Sequence, residues 1–125
     1  MFRSILLVLL ASVAMTACFN DKRDQLYPAP TVCDTSGVTY SGFVRQIVGG
    51  STCSKDGCHN TASAQSGVTL DNYNGVRAAA QNGSLLGVLD WSNNNYPHMP
   101  QDGGQLDACT IARISAWVAK GAPNN

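Results

Sequence analysis

Two cysteines and a histidine lie close together in the chain, in the order Cys53, Cys58, His59, with four residues between the cysteines. Two thiols followed directly by an imidazole form the arrangement that attaches haem covalently. Each cysteine forms a thioether with a haem vinyl group, and the histidine binds the iron as its proximal ligand. The usual spacing is shorter by two residues, so the additional residues must bulge outwards, because the porphyrin fixes the positions of its vinyl groups. Asp56 and Gly57 are the turn-forming pair that would allow this bulge.

The same side chains also suit zinc, which binds cysteine and histidine in tetrahedral sites. Cys53, Cys58, His59 and His98 would make up such a set. One tetrahedral ion suits this set poorly, however, because Cys58 and His59 would both have to turn inwards from neighbouring positions. The local pattern therefore favours haem over zinc and leaves both interpretations open.

A second iron ligand is offered by the segment Tyr96-Pro97-His98-Met99-Pro100. A methionine flanked by prolines on an extended segment can present its thioether sulfur to iron with little conformational freedom left to lose. Filling of a hydrophobic core, the common role of methionine, explains Met99 poorly because the loop around it is polar. Neighbours on an extended segment point to opposite sides, and Pro100 biases Met99 towards that backbone. We therefore predict that Met99, rather than His98, is the distal ligand.

Helical signals precede and follow the cysteine–histidine motif, and no segment has the pattern of a strand. Apolar residues at helical spacing predict a helix over 40–48, capped by Ser41 and ended by two glycines. A second, shorter helix is predicted over 71–81 with Asp71 as its N-cap. Its internal Gly75 disfavours helix by about 1 kcal/mol.

The end of the chain carries the clearest helical pattern. Residues 84–90 are apolar and brief, and they form either one or two helical turns or a buried extended stretch. A helix is predicted over 107–120, where Asp107 is the N-cap and Lys120 complements the C-terminal dipole. A glycine and then a proline end it.

Composition restricts the classes of function. The chain has 125 residues and a formal net charge of zero, from eight Lys+Arg and eight acids, all of which are aspartate. The lack of glutamate excludes a glycosidase with paired glutamates, and no aspartate pair marks an equivalent site. Nucleic-acid binding normally needs a basic excess or stripe, which this chain lacks. There are five cysteines, so pairing alone does not account for all of them.

Residues 1–17 have the pattern of an export signal. A short positive segment precedes an apolar run that is too short to span a bilayer. The run ends in the sequence MTAC, which resembles a bacterial lipobox and implies cleavage before Cys18 and lipidation of that residue; ordinary secretion is the alternative. Residues 18–32 are expected to form a lipid-anchored tether, and 33–125 the folded domain.

Together, the first helix, the cysteine–histidine motif, a glycine-rich loop (GVTL), a Met-Pro pair and a last helix ending in AWVAKGA resemble a small monohaem c-type cytochrome. The resemblance covers residues 38–123 and is to the exported, lipoprotein-type cytochrome c domains of Bacteroidetes-type and planctomycete-type bacteria. It implies an all-α, cytochrome c-like fold whose first and last helices cross beside the haem. Phe43 and Ile47 would then pack against Ile114 and Trp117.

The resemblance also implies a role for each residue of the site. Cys53 and Cys58 match the cysteines that attach one haem c covalently, His59 matches the proximal iron ligand, and Met99 matches the distal one. The proline that often follows the motif, and whose carbonyl orients the histidine, is absent. The sequence therefore identifies no acceptor for the Nδ1–H of His59, although such a partner is expected.

The remaining two cysteines, Cys33 and Cys109, are predicted to form a disulfide. Cys33 precedes the first helix and Cys109 lies in the first turn of the last, so the bond is plausible if those helices cross near these ends. An exported protein sits in an oxidising compartment, where such a bond persists. Closing this long loop would stabilise the fold by roughly 4 kcal/mol in the chain-entropy model. Two free thiols or an intermolecular bond are the alternatives.

These features predict a membrane-tethered periplasmic electron carrier and not an enzyme. An iron whose axial positions are both filled by protein suits one-electron transfer, and methionine ligation biases its potential upwards. We expect electrons to pass between respiratory complexes or dehydrogenases and a terminal acceptor, with redox proteins of the respiratory chain as partners. The weak net charge predicts little electrostatic steering. The alternatives are a haem-based sensor or peroxidase in which Met99 leaves the iron, and a zinc-binding or structural surface lipoprotein.

Overall fold

The computed structural model describes residues 32–125. This part of the chain is all-α: 40% of it is helical, and it contains no strand. None of its helices has the length and apolar character needed to cross a membrane. The predicted signal peptide, the lipidation site Cys18 and all but the last residue of the predicted tether lie outside the described residues.

Helix α1 begins as a π-helical turn, Tyr40–Val44, and continues as α-helix over Arg45–Ile47. Its N-cap is Thr39, whose hydroxyl oxygen accepts a hydrogen bond from the Gly42 N–H at 3.0 Å. The prediction of Ser41 as the cap is therefore wrong. Thr39 has the extended backbone of a capping residue, with φ of −120°, whereas Ser41 already lies inside the helix.

Helix α2, Tyr73–Gln81, is capped by Asn72 and not by Asp71. The Asn72 side-chain oxygen accepts from the Gly75 N–H at 3.0 Å. Asp71 instead accepts two hydrogen bonds from Thr61, one from its N–H at 2.6 Å and one from its hydroxyl at 2.9 Å. A tertiary contact thus takes the carboxylate that the local pattern assigns to the helix.

Two further helices complete the fold. Helix α3, Ser84–Leu89, settles the brief apolar segment as helical. Helix α4, Ala108–Ala119, has Asp107 as its N-cap, as predicted: the carboxylate accepts from the Thr110 N–H at 2.9 Å. A short 3-10 turn, Gln65–Gly67, precedes the segment that leads into α2.

All four helices contribute buried side chains to the core. Its largest fully buried side chains are Trp117, Ile114, Val44, Val48 and Val76. Helices α1 and α4 therefore do pack together, but the predicted pairing of their side chains needs correction.

The fully buried residues here are Val44 of α1 and Val48, which directly follows the helix; they lie next to the two positions predicted. Phe43 and Ile47 are half-buried and pack against the edge of the core. The Arg113 guanidinium of α4 covers the Phe43 ring, 3.7 Å from its centroid. A cation over the face of an aromatic ring is favourable, so the half-buried Phe43 ring gains a stabilising contact with α4.

The last residues of the chain connect the helices. The Trp117 indole N–H donates to the Pro123 carbonyl at 3.0 Å, and the Tyr73 hydroxyl donates to the Ala122 carbonyl at 2.9 Å. The Tyr40 N–H donates to the side-chain oxygen of Asn125 at 2.8 Å. Each contact satisfies a polar group of a core element, so the C-terminal segment acts as part of the core packing.

A disulfide joins Cys33 to Cys109 in the structure, with their Cα atoms 5.4 Å apart. It attaches the segment before α1 to the first turn of α4. The Lys120 ammonium makes a second link of this kind, because it donates to the Ser36 carbonyl at 2.9 Å. The entry to α1 is thus held at both ends of the last helix.

Local hydrogen bonds predict how stability responds to acid. Hydrogen bonds lower the pKa of five carboxyl groups below the ordinary value of 3.8. The donor is Lys55 for Asp102 and a serine or threonine hydroxyl for the other four, Asp34, Asp71, Asp90 and Asp107. A depressed pKa in the folded state contributes stability above the unfolded pKa, and that contribution is lost as the pH falls through the folded pKa. We therefore expect the free energy of unfolding to fall when the pH is lowered from about 5 to about 3.

Urea unfolding at a series of pH values measures this effect. A double variant, Asp71→Asn with Asp107→Asn, serves as the control and should show a shallower decline with acid. A urea midpoint that stays constant or rises towards pH 3 in the unmutated protein would contradict the prediction.

Candidate functional site

A single cavity collects the four predicted cofactor residues. Its volume is about 400 Å³, and its walls include Cys53, Cys58, His59 and Met99. The rest of the lining is mainly aliphatic, from α1, α3 and the segments beside them: Val48, Val68, Leu70, Leu85, Leu89 and Leu106. A cavity of this size, with apolar walls and a few convergent polar groups, has the character of a small-molecule or cofactor site.

The two cysteines occupy a turn that is closed by its own backbone. The Cys58 N–H donates to the Lys55 carbonyl at 3.0 Å, and the Gly57 N–H donates to the Ser63 hydroxyl at 2.9 Å. Gly57 has a φ of 79°, a conformation that favours glycine, and Asp56 beside it is exposed. Asp56 therefore stands outwards, whereas Gly57 lines the cavity in a turn that needs the glycine.

Both cysteines of the motif are free thiols and are partly buried. Burial, with a smaller contribution from the nearby Cys58, raises the pKa of the Cys53 thiol to about 11. Cys53 therefore keeps its proton at neutral pH and packs as a small apolar side chain against the core.

His59 is held by its backbone and by its ring. Its N–H donates to the Cys53 carbonyl at 3.1 Å, and its carbonyl accepts from the Leu70 N–H at 2.6 Å. The ring nitrogen Nδ1 lies 3.3 Å from the Val68 carbonyl oxygen, an acceptor for its proton. With Nδ1 engaged in this way, Nε2 is the nitrogen left to bind a metal. Val68 is thus the orienting partner that the sequence did not identify.

The position of that carbonyl depends on Gly75. A Cβ added at this glycine, in the first turn of α2, would overlap the Thr69 carbonyl oxygen. Thr69 stands between Val68 and Leu70, the two residues whose backbones hold His59. The residue type alone predicts that Gly75 weakens the helix, whereas the structure gives it a positioning role.

Met99 reaches the cavity from a separate loop. Its N–H donates to the Val88 carbonyl of α3 at 3.0 Å, and its own carbonyl accepts from the Trp91 indole N–H at 3.0 Å. Its neighbour His98 is exposed and lies outside the cavity lining, with its ring stacked on Trp91 at 5.1 Å between centroids. The structure places Met99 in the lining of the same cavity as Cys53 and leaves His98 outside it.

This arrangement does not support the zinc interpretation. Within residues 32–125, no three side chains of the metal-binding types gather around one point. The set of Cys53, Cys58, His59 and His98 fails because the imidazole of His98 faces the indole of Trp91 and not the cavity.

The two loops that carry the site residues also contact each other. The Lys55 ammonium, within the cysteine turn, forms an ion pair with the Asp102 carboxylate, which lines the cavity beyond Met99. The side chains are 40% and 62% exposed, so solvent and salt weaken the attraction. The pair links the loops without fixing their geometry.

Comparison of the chain with protein-family models, with curated proteins and with solved structures gives no match in any of the three. The interpretation of the site therefore depends on its own residues.

The close contact at Gly75 predicts the effect of adding a methyl group there. In an unstrained helix, Gly75→Ala would stabilise the protein by about 1 kcal/mol. Here the methyl group meets a backbone oxygen that cannot turn aside, so we expect the free energy of unfolding to fall by about 1 to 3 kcal/mol. Urea unfolding measures the change.

Gly104→Ala is the matched control, because a Cβ at that glycine would have no atom within 4 Å. It should leave the urea midpoint nearly unchanged. A Gly75→Ala protein as stable as the unmutated one would mean that Thr69 does not pack against α2 as the structure has it.

Proposed function

We propose that this protein is a one-electron carrier with a covalently bound haem c and a cytochrome c-like fold. The observation that supports this most strongly is the shared cavity of Cys53, Cys58, His59 and Met99. Two thiols, an imidazole and a thioether are the donor set of a haem that is attached through two bonds and ligated by histidine and methionine. The cavity collects these groups from two separate loops.

The residues of the cavity fit such a group. Its aliphatic walls suit the faces of a large aromatic macrocycle and exclude water from them. The bond from the His59 ring to the Val68 carbonyl fixes the tautomer in which Nε2 is a ligand. A bound haem would supply a one-electron iron couple. Cys53 and Cys58 would hold it covalently, and His59 and Met99 would bind its iron.

Electron transfer fits the cavity better than substrate chemistry. Among the described residues, Asp102 is the one carboxylate in the cavity lining, and it is paired with Lys55 at the surface. It therefore does not form an acid–base pair with His59, whose Nδ1 faces the Val68 carbonyl. With both His59 and Met99 at the iron, the protein itself would fill the positions that a substrate would need.

We also propose that this carrier is exported and held at the periplasmic side of a bacterial membrane, because residues 1–17 have the pattern of an export signal and residues 15–18 resemble a lipobox ending in Cys18. A lipid anchor at Cys18 raises the local concentration of the domain near membrane-bound partners. It would receive electrons from respiratory complexes or dehydrogenases and pass them to a terminal acceptor.

Covalent attachment is tested by the colour that survives extraction. We expect the purified protein to be red and to keep its haem in acid–acetone, because thioether bonds resist that treatment. Cys53→Ala and Cys58→Ala should each leave a singly attached or weakly held haem, and the double variant should lose it to the solvent. The absorption spectrum of the alkaline pyridine adduct counts the remaining thioether bonds.

The double variant Cys33→Ala with Cys109→Ala is the control for loss of cysteine in general. It should lose stability but keep the haem attached. Haem that acid–acetone strips from the unmutated protein would contradict covalent attachment, and a colourless protein would overturn the proposed function.

The distal ligand is tested by optical spectroscopy. Met99→Ala should abolish the weak far-red sulfur-to-iron charge-transfer band of the ferric protein and lower the reduction potential, since methionine favours ferrous iron. His98→Ala should keep the band, because the His98 ring lies outside the cavity. Titration with a dye of known potential measures the second effect.

Added carbon monoxide separates a carrier from a sensor or peroxidase. The ferrous spectrum of the unmutated protein should resist carbon monoxide, whereas Met99→Ala should bind it at the position that the sulfur has left. Ready binding by the unmutated protein would favour the sensor or peroxidase over the carrier. Loss of the low-spin spectrum in His98→Ala, with Met99→Ala unchanged, would make His98 the ligand.

A further inference from the structure

Trp91 contacts two consecutive residues, His98 and Met99, in the loop that carries the predicted distal ligand. Its ring stacks on the His98 imidazole, with centroids 5.1 Å apart and planes inclined by 8°, and its N–H donates to the Met99 carbonyl at 3.0 Å. We propose that Trp91 is a positioning residue that selects Met99, and excludes His98, as the side chain presented to the cavity. This inference rests on the proposed function, because it concerns which side chain meets the iron.

The backbone of Met99 is fixed at both of its polar groups. The N–H bonds to the Val88 carbonyl of α3 at 3.0 Å, and the carbonyl receives the indole N–H of Trp91. Val88 belongs to α3 and Trp91 follows that helix by two residues, so α3 and the turn after it supply the two contacts. Because the peptide groups before and after the Met99 Cα are both hydrogen-bonded, the backbone cannot rotate freely there. The direction of the Met99 side chain is therefore set by α3 and Trp91.

Stacking sets the direction of the neighbour. The indole ring holds the His98 imidazole on the outside of the loop, and His98 is exposed there. Met99 lines the cavity whereas His98 does not, so the two neighbouring side chains leave this bend of the loop in different directions. A ring stack and a hydrogen bond each give a bias on the order of three- to tenfold. Acting on adjacent residues, the two contacts favour the same arrangement.

The start of the loop is docked on the same helix. A Cβ at Gly87 of α3 would lie 2.5 Å from ring carbons of Tyr96, so this ring packs directly on the helix backbone. Tyr96 and Met99 are thus both held to α3, at Gly87 and Val88. The segment between them therefore has little conformational freedom, and contact with Trp91 sets which side of it faces the cavity.

The choice matters because the competitor is strong. An imidazole binds ferric iron more tightly than a thioether does, and His98 is only one residue from Met99. A rotation of the segment that brings His98 inwards would give an iron with two histidine ligands and a lower potential. Without a contact that holds the imidazole outside, the sequence alone does not prevent this exchange.

Three variants, purified with their haem, test the selection. Trp91→Ala removes the stack and the hydrogen bond, and we expect it to lose most of the far-red sulfur-to-iron band and to lower the reduction potential. Trp91→Phe keeps a ring for His98 but loses the N–H, and it should retain an intermediate share of the band. Trp91→Ala combined with His98→Ala should recover most of the band, because the competing imidazole is gone.

Tyr73→Ala is the control for general destabilisation, since Tyr73 is a half-buried aromatic residue that bonds to Ala122 and takes no part in lining the cavity. It should keep the band. A Trp91→Ala protein with the full band would overturn the inference. So would a double variant that loses as much of the band as Trp91→Ala, because Trp91 would then support the loop without selecting a ligand.

A second readout does not depend on iron ligation. In the protein as purified, proton NMR should show the His98 ring protons shifted upfield by the Trp91 ring current, and Trp91→Ala should remove that shift. Unshifted His98 protons would overturn this inference alone. A protein with the shift but without haem would overturn the proposed function, and with it the role of Trp91 towards iron.

Discussion

Close approach of two backbones at Gly75 is the constraint on which the cofactor segment depends. Residues 53–59 carry the two thiols and the imidazole in turns, without regular secondary structure of their own. Their order therefore comes from other parts of the chain: the Leu70 N–H holds the His59 carbonyl, and the Val68 carbonyl faces the ring. These backbone groups lie where they do because the chain between them rests directly on the first turn of α2, where no side chain separates the two.

The loop that carries Met99 also depends on close packing against a glycine in a helix. Gly87 lets the Tyr96 ring rest on the backbone of α3, and the next residue, Val88, accepts the Met99 N–H. A glycine inside a helix costs about 1 kcal/mol relative to alanine. That cost is large for helices of nine and six residues, so α2 and α3 owe their stability to tertiary contacts more than to propensity. These two short helices, α2 and α3, thus support the irregular segments that carry the site residues.

Local features of the fold could be predicted from the sequence, whereas features that depend on a distant group could not. Helix α4 and its Asp107 cap follow from periodicity and a capping side chain. The Asp71 cap was wrong because Thr61, ten residues earlier, takes the carboxylate. Around α1, apolar residues occur in two adjacent pairs, at 43–44 and 47–48. Periodicity alone does not say which member of each pair faces the core; in the structure it is Val44 and Val48. The Val68 carbonyl was missed because a backbone acceptor leaves no trace in residue type.

The geometry of the site depends little on the attraction between charged side chains. Lys55, between the two cysteines, forms an ion pair with Asp102 on the loop that carries Met99. Both groups are substantially exposed, however, and attraction between exposed charges is weakened by water and salt. The contacts to α2 and α3 are hydrogen bonds and direct packing at partly buried positions, which salt does not screen. The geometry of the site is therefore set by each loop's attachment to its own helix, and the ion pair between the loops follows from that geometry.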